Sequence, residues 1–113
     1  MKSWTLRFRE IDKKNFDQVK NGSKPVETRA ATVKYQPIKV GDKLVFVCGK
    51  EKFEREVVSK RHFQSIDEMI TEIPYTNIMP NVNSVEELKA AYHSYNGYEE
   101  KIREFGLFAF ELK

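Results

Sequence analysis

The spacing of apolar residues changes period along this chain, and that change restricts the fold more than any single motif does. Trp4, Leu6 and Phe8 alternate with Thr5, Arg7 and Arg9, the period-two pattern of a half-buried strand. Leu44 to Cys48 is apolar at every position, which suits a central strand covered on both faces. Ile66, Met69, Ile70 and Ile73 instead recur at helical spacing, as do Val85, Leu88, Ala91, Tyr92 and Tyr95. Strands and helices follow one another in mixed order with no βαβ repeat. The expected class is therefore α+β, with a largely antiparallel sheet curled into a small barrel and helices beside it. The 113 residues suit one domain, 1–113, around one core.

Local signals set the element boundaries. Asp12 stands where an N-cap belongs, with Ile11 and Phe16 spaced as a hydrophobic staple, so the pattern predicts a helix over 13–20 that stops at Asn21-Gly22. Lys24 to Arg29 reads as a loop entering a short strand, and Ala30 to Lys39 as a loop. Gly41-Asp42 is a turn, and Phe53 to Phe63 a long strand. Ser65 with Glu68, and Ser84 with Glu87, form capping boxes that open two helices. Pro74 ends the first of these. A short helix near Tyr98–Glu104 lies between Asn96-Gly97 and Gly106, and Leu107 to Leu112 closes the chain as a strand.

Composition narrows the functional classes. The formal net charge is +3, which permits a polyanionic partner without requiring one. No apolar run approaches the roughly 18 residues of a membrane span. Met1-Lys2-Ser3-Trp4 leads directly into strand spacing with no signal-peptide core, so the expectation is a cytoplasmic protein with no membrane partner, and a monomer. The single cysteine, Cys48, lies in an apolar strand and reads as a buried structural thiol. His62 and His93 stand apart from each other and from Cys48, so no zinc ligand set is expected, and neither is a cofactor.

Chemistry concentrates in Gly22-Ser23-Lys24-Pro25-Val26-Glu27-Thr28-Arg29. On an extended strand Glu27 and Arg29 share a face, and Lys24 sits in the loop just before, free to curl over it. A lysine near a carboxylate and a guanidinium can bind an anion or a polar heterocycle. Desolvated or crowded by Arg29, such an amine can instead act as base or nucleophile. The plain alternative is an exposed Glu27–Arg29 ion pair beside a solvated Lys24.

The pattern Gly22-x-Lys24-x-x-Glu27-x-Arg29 resembles the signature of the ASCH (ASC-1 homology) family. Gly41-Asp42-Lys43-Leu44-Val45-Phe46, the Phe63-x-Ser65 helix start and the closing Gly106-Leu107-Phe108-Ala109-Phe110 are similar in order as well. The resemblance implies a PUA-like β-barrel whose cleft, between barrel and helices, holds RNA. Some bacterial relatives are amidohydrolases acting on N4-acetylcytidine. In that group a lysine at the position of Lys24 is catalytic, with a threonine three residues on and a later glutamate. Here Glu27 replaces the threonine. Thr28 is adjacent but faces away from Glu27 on a strand, and Glu72 lies in the region of the later glutamate.

Two aromatic residues complete the candidate site. Trp4 and Tyr35 can stack a base, an interaction worth roughly 1–3 kcal/mol, although Trp4 shares the parity of Leu6 and Phe8. Lys13, Lys14, Lys20 and Lys24 cluster around the first helix and its exit, either as a solvated face or, beside the motif, as phosphate contacts. Tyr92, Tyr95 and Tyr98 read as packing residues. The expected function is binding of RNA or a modified nucleoside by Lys24, Glu27, Arg29, Tyr35 and Trp4. The alternatives are an amidohydrolase using Lys24 and Glu27, and a protein-interaction module with an exposed apolar patch of several hundred Å².

Overall fold

The long strand that sequence spacing placed before Phe63 is the spine of the molecule. The computed structural model describes residues 1–113, and in it the five strands are β1 (Ser3–Phe8), β2 (Val26–Ala30), β3 (Lys43–Cys48), β4 (Glu51–Phe63) and β5 (Leu107–Leu112). Their order across the sheet is β1-β3-β4-β5-β2. The first half of β4, Glu51 to Glu56, pairs with β3; the second half, Val57 to Phe63, pairs with β5. The register slips between Val57 and Ser59, and such a bulge bends a strand and increases its twist. The sheet therefore curls about β4 into a half-barrel with flanking helices. Three of the four pairings are antiparallel; β1 and β3 run parallel.

Five α-helices accompany the sheet: α1 (Lys13–Lys20), α2 (Ile66–Glu72), α3 (Tyr75–Ile78), α4 (Val85–Ser94) and α5 (Tyr98–Phe105). Both capping boxes form. The Ser65 and Ser84 hydroxyls accept from the amides of Glu68 and Glu87, whose carboxylates reach back to the amides of Gln64 and Asn83. The start of α1 departs from expectation. A 3-10 turn over Glu10–Asp12 precedes it and leaves Ile11 81% exposed, so no hydrophobic staple forms. Asp12 occupies the N-cap position without a capping bond; its carboxylate accepts from Arg9 Nε instead. The segment after β2, expected as a loop, carries a short 3-10 turn at Val33–Tyr35.

Two apolar clusters form, one on each side of β5. Phe108 and Phe110 point into the curl with Leu6, Leu44, Phe46 and Val57, and α1 contributes Phe16 and Val19 to the same cluster. Leu107 and Ala109 face the other way, with Val26 and Ala30 of β2, against Met69, Ile78, Leu88, Tyr92 and Ile102 of the helices. The turn from α5 into β5 requires Gly106, whose φ is +80° and whose added Cβ would stand 2.3 Å from the Phe63 carbonyl. No helix is long and apolar enough to cross a membrane. The large apolar side chains left exposed are Met1, Ile11, Val33, Val40 and Val58, on separate segments.

Phe16 is fully buried and packs edge-on against Phe8 of β1 and Phe53 of β4. Phe16→Ala should therefore destabilise the fold by about 3–5 kcal/mol, read as a lower urea midpoint with an unchanged slope.

Candidate functional site

Gly22 takes a positive φ of 86° just past the end of α1, which lets the chain reverse. The Lys24 amide then donates back to the Gln18 carbonyl at 3.0 Å. This fixes Lys24 at the foot of the helix, immediately before β2. Within β2 the residues alternate as strand geometry requires. Val26 and Ala30 join the helix-side cluster, while Glu27 and Arg29 pair across the ladder with Phe110 and Phe108, which point into the curl.

Glu27 is the centre of the resulting cluster. Its Oε1 accepts from Lys24 Nζ at 3.1 Å and from the Thr28 amide at 3.2 Å. Its Oε2 accepts from Arg29 Nη2 at 3.0 Å and Nε at 3.3 Å. The Lys24 and Glu27 side chains are only 6% and 3% exposed. Burial works against the Glu27 charge, but the Lys24 and Arg29 cations outweigh it and hold the carboxyl below its usual range. For Arg29, burial likewise opposes the charge and Glu27 overrides it, so the guanidinium is held above its ordinary value. Arg29 also lies 5.0 Å from the Phe8 ring centroid, spanning the two edge strands β1 and β2.

A cavity of about 310 Å³ opens beside this cluster, lined on the β2 side by Lys24, Glu27, Thr28 and Arg29. The expected convergence of Lys24, Glu27 and Arg29 on one concave site is thus present. Thr28 does face away from Glu27, with its hydroxyl hydrogen-bonded to that of Tyr92. It still borders the cavity, because β2 is an edge strand and the cavity reaches around its free side.

The opposite walls were not anticipated. Arg7, Phe8 and Arg9 come from the end of β1, Asn15 from α1, and Tyr92, Tyr95 and Tyr98 from α4, α5 and their connection. The tyrosines do pack, edge to face, but they also present phenols to the cavity. Burial pushes all three phenols above their usual range, so they are neutral hydroxyls, and Tyr95 accepts from Asn15 Nδ2 at 3.4 Å. The spacing of Tyr92, Tyr95 and Tyr98 was the available signal for this wall; nothing in the sequence linked it to Lys24.

Other expected site residues lie elsewhere. Trp4 does not line the cavity: its indole N–H donates to Asp42 Oδ2 at 2.9 Å. That bond, with the amides of Lys2 and Lys39, holds the Asp42 carboxyl down to about 2. Tyr35 also stays outside the lining, and its ring sits 5.8 Å from the Arg29 guanidinium, supporting it from behind. Glu72 is in a separate depression with Arg61, Asn77 and Glu111. The lysine cluster around α1 is largely neutralised, since Lys13 pairs with Asp17 and Glu51, and Lys20 with Glu51.

No family model matches the chain, and no curated protein matches it. Among solved structures, the crystal structure of hypothetical protein PH0355 superposes with a TM-score of 0.81 at 30% identity, covering 100% of this chain and 98% of that one. The solution structure of protein PF0455 from Pyrococcus furiosus superposes with a TM-score of 0.74 at 28% identity, covering 98% and 96% respectively. Neither is named for an activity or a ligand.

Removing one partner of a buried charge cluster strands the others, at about 3–5 kcal/mol. Glu27→Ala should destabilise the fold on that scale in chemical denaturation, leaving Lys24 and Arg29 unpaired. The lowered Glu27 value also predicts a pH signature. A depressed carboxylate stabilises the fold above its unfolded value, about 4.3, and that contribution is lost as pH falls through the folded value. The wild type should therefore lose stability below about pH 4, and Glu27→Gln should lose less over the same interval.

Proposed function

We propose a function for a chain that belongs to the same family as the hypothetical protein PH0355: it is a small ligand-binding domain that holds one nucleotide unit, free or within RNA, in the cleft around Lys24, Glu27 and Arg29. The observation that carries this reading is a surplus of hydrogen-bond donors around a saturated carboxylate. Both Glu27 oxygens are occupied by protein donors. Lys24 retains two further N–H groups, and Arg29 Nη1 reaches only the Tyr35 hydroxyl, at 3.5 Å. The inner end of the cleft is therefore built to receive acceptor atoms, such as the carbonyl and phosphate oxygens of a nucleotide.

Size and wall chemistry support the same reading. A volume of about 310 Å³ lies at the small end of the roughly 300–1,000 Å³ usual for small-molecule sites. Phe8 and the tyrosines supply aromatic surface for a heterocycle. Around α1, Lys13 pairs with Asp17 and Glu51, and Lys20 with Glu51, which favours a single unit over a long RNA strand. The resemblance of the Lys24, Glu27 and Arg29 pattern to the ASCH signature, and of the curled sheet to a PUA-like barrel, agrees with a nucleic-acid-related ligand.

A second reading, hydrolysis of an acylated nucleoside such as N4-acetylcytidine, draws on the burial of Lys24 beside Glu27, the arrangement of a base with its proton partner. Against it, the nitrogen that would attack is engaged as an ion-pair donor, and Arg29 keeps Glu27 ionised.

Titration of a short single-stranded RNA should give weak binding with a shallow salt dependence, a slope of about −0.7 for each phosphate contacted. Lys24→Met keeps the volume of the buried stem and leaves Glu27 bonded to Arg29; it should weaken binding about tenfold or more. Incubation with N4-acetylcytidine should show retention without turnover. Turnover by the wild type that disappears in Lys24→Met would replace the binding reading with the hydrolase.

A further inference from the structure

The cleft carries more positive charge than its own carboxylates neutralise. Arg7, Arg9, Lys24 and Arg29 line it, against Asp12 and Glu27. Arg9 is taken by Asp12, with Nε 2.8 Å from Oδ2. Lys24 and Arg29 share Glu27, so the buried trio keeps one positive charge in excess. Arg7 is exposed on the polar parity of β1 and has no carboxylate partner of its own, which brings the excess to two. No histidine lines the cleft, and the remaining walls are amide, hydroxyl, thioether and aromatic groups that add no charge.

We infer that the cleft is matched to a phosphomonoester, a nucleoside monophosphate or an RNA end bearing a terminal phosphate, whose dianionic group offsets this excess of two. The inference rests on the nucleotide reading of the cleft and specifies its ligand class. A phosphomonoester carries about −1.5 to −2 charges near pH 7 and presents three strong acceptor oxygens. An internal phosphodiester carries one charge, and a nucleoside carries none. The buried trio supplies unused N–H donors at the inner end. Arg7, exposed and without a carboxylate partner, also lines the cleft, and a guanidinium is the group best shaped for a bidentate grip on phosphate oxygens. Lys24 keeps its bond to Glu27 while offering two further N–H groups, and Arg7 has no carboxylate partner to give up.

The test is calorimetric titration of the full chain with the ribonucleosides, their 5′-monophosphates, the singly charged methyl esters of those monophosphates, and inorganic phosphate. The monophosphates should bind about tenfold tighter than the methyl esters, and the methyl esters tighter than the nucleosides. Arg7→Ala should bring the monophosphates close to the methyl esters while leaving the circular dichroism unchanged, because the side chain is exposed. Nucleosides binding within about twofold of their monophosphates would overturn the phosphomonoester inference and leave the nucleotide cleft standing. Inorganic phosphate binding as tightly as the monophosphates would overturn the nucleotide reading, as would no binding by any of the probes.

Discussion

Glu27 is the group on which the cleft and the open end of the sheet both depend. A carboxylate taken out of water loses hydration worth several kcal/mol even after the protein relaxes around it. Here it is compensated by two cations and one backbone amide, each within 3.3 Å of an oxygen. The amide is that of Thr28, so the same carboxylate satisfies a donor of the edge strand that no neighbouring strand can reach. Arg29 carries the interaction further by resting on the Phe8 ring. The two edges of the half-barrel are held together through side chains at a place where the backbone does not join them.

That open place follows from the topology. β4 bends at its bulge and hands the sheet from β3 to β5, which leaves β1 and β2 as the free edges. Phe16 and Val19 of α1 enter the apolar cluster inside the curl, and α2 to α5 cover the outer face of β2 and β5. The cleft occupies what remains at the end of the curl. Its walls are drawn from segments as far apart as Arg7 and Tyr98, an arrangement that places the cleft on rigid elements rather than on a long loop.

Much of this was legible because it obeys local rules. Strand parity put Glu27 and Arg29 on one face, the capping boxes opened α2 and α4 where they do, and the run from Leu107 to Leu112 is β5. The expectations that failed each met a competing partner. Ile11 was displaced by a 3-10 turn that spacing alone does not reveal. Trp4 had the right chemistry for stacking but found Asp42 for its indole N–H. The lysines of α1 read as a solvated face or as phosphate contacts, and Asp17 with Glu51, the latter distant in sequence, pairs with two of them.

The α+β class, most element boundaries, and a charged motif whose members lie close together can be read from the linear chain alone. Those properties depend on periods of two or 3.6 residues and on contacts within a few positions, which a linear chain displays directly. The burial of Lys24 and Glu27, the completion of the cleft by Arg7 and the tyrosine wall, and the position of Trp4 and Tyr35 outside its lining follow from three-dimensional packing. Those outcomes depend on how β4 bends and which edges remain unpaired. They are set by packing between residues more than 60 positions apart, as between Thr28 and Tyr92, where sequence spacing carries no information about distance.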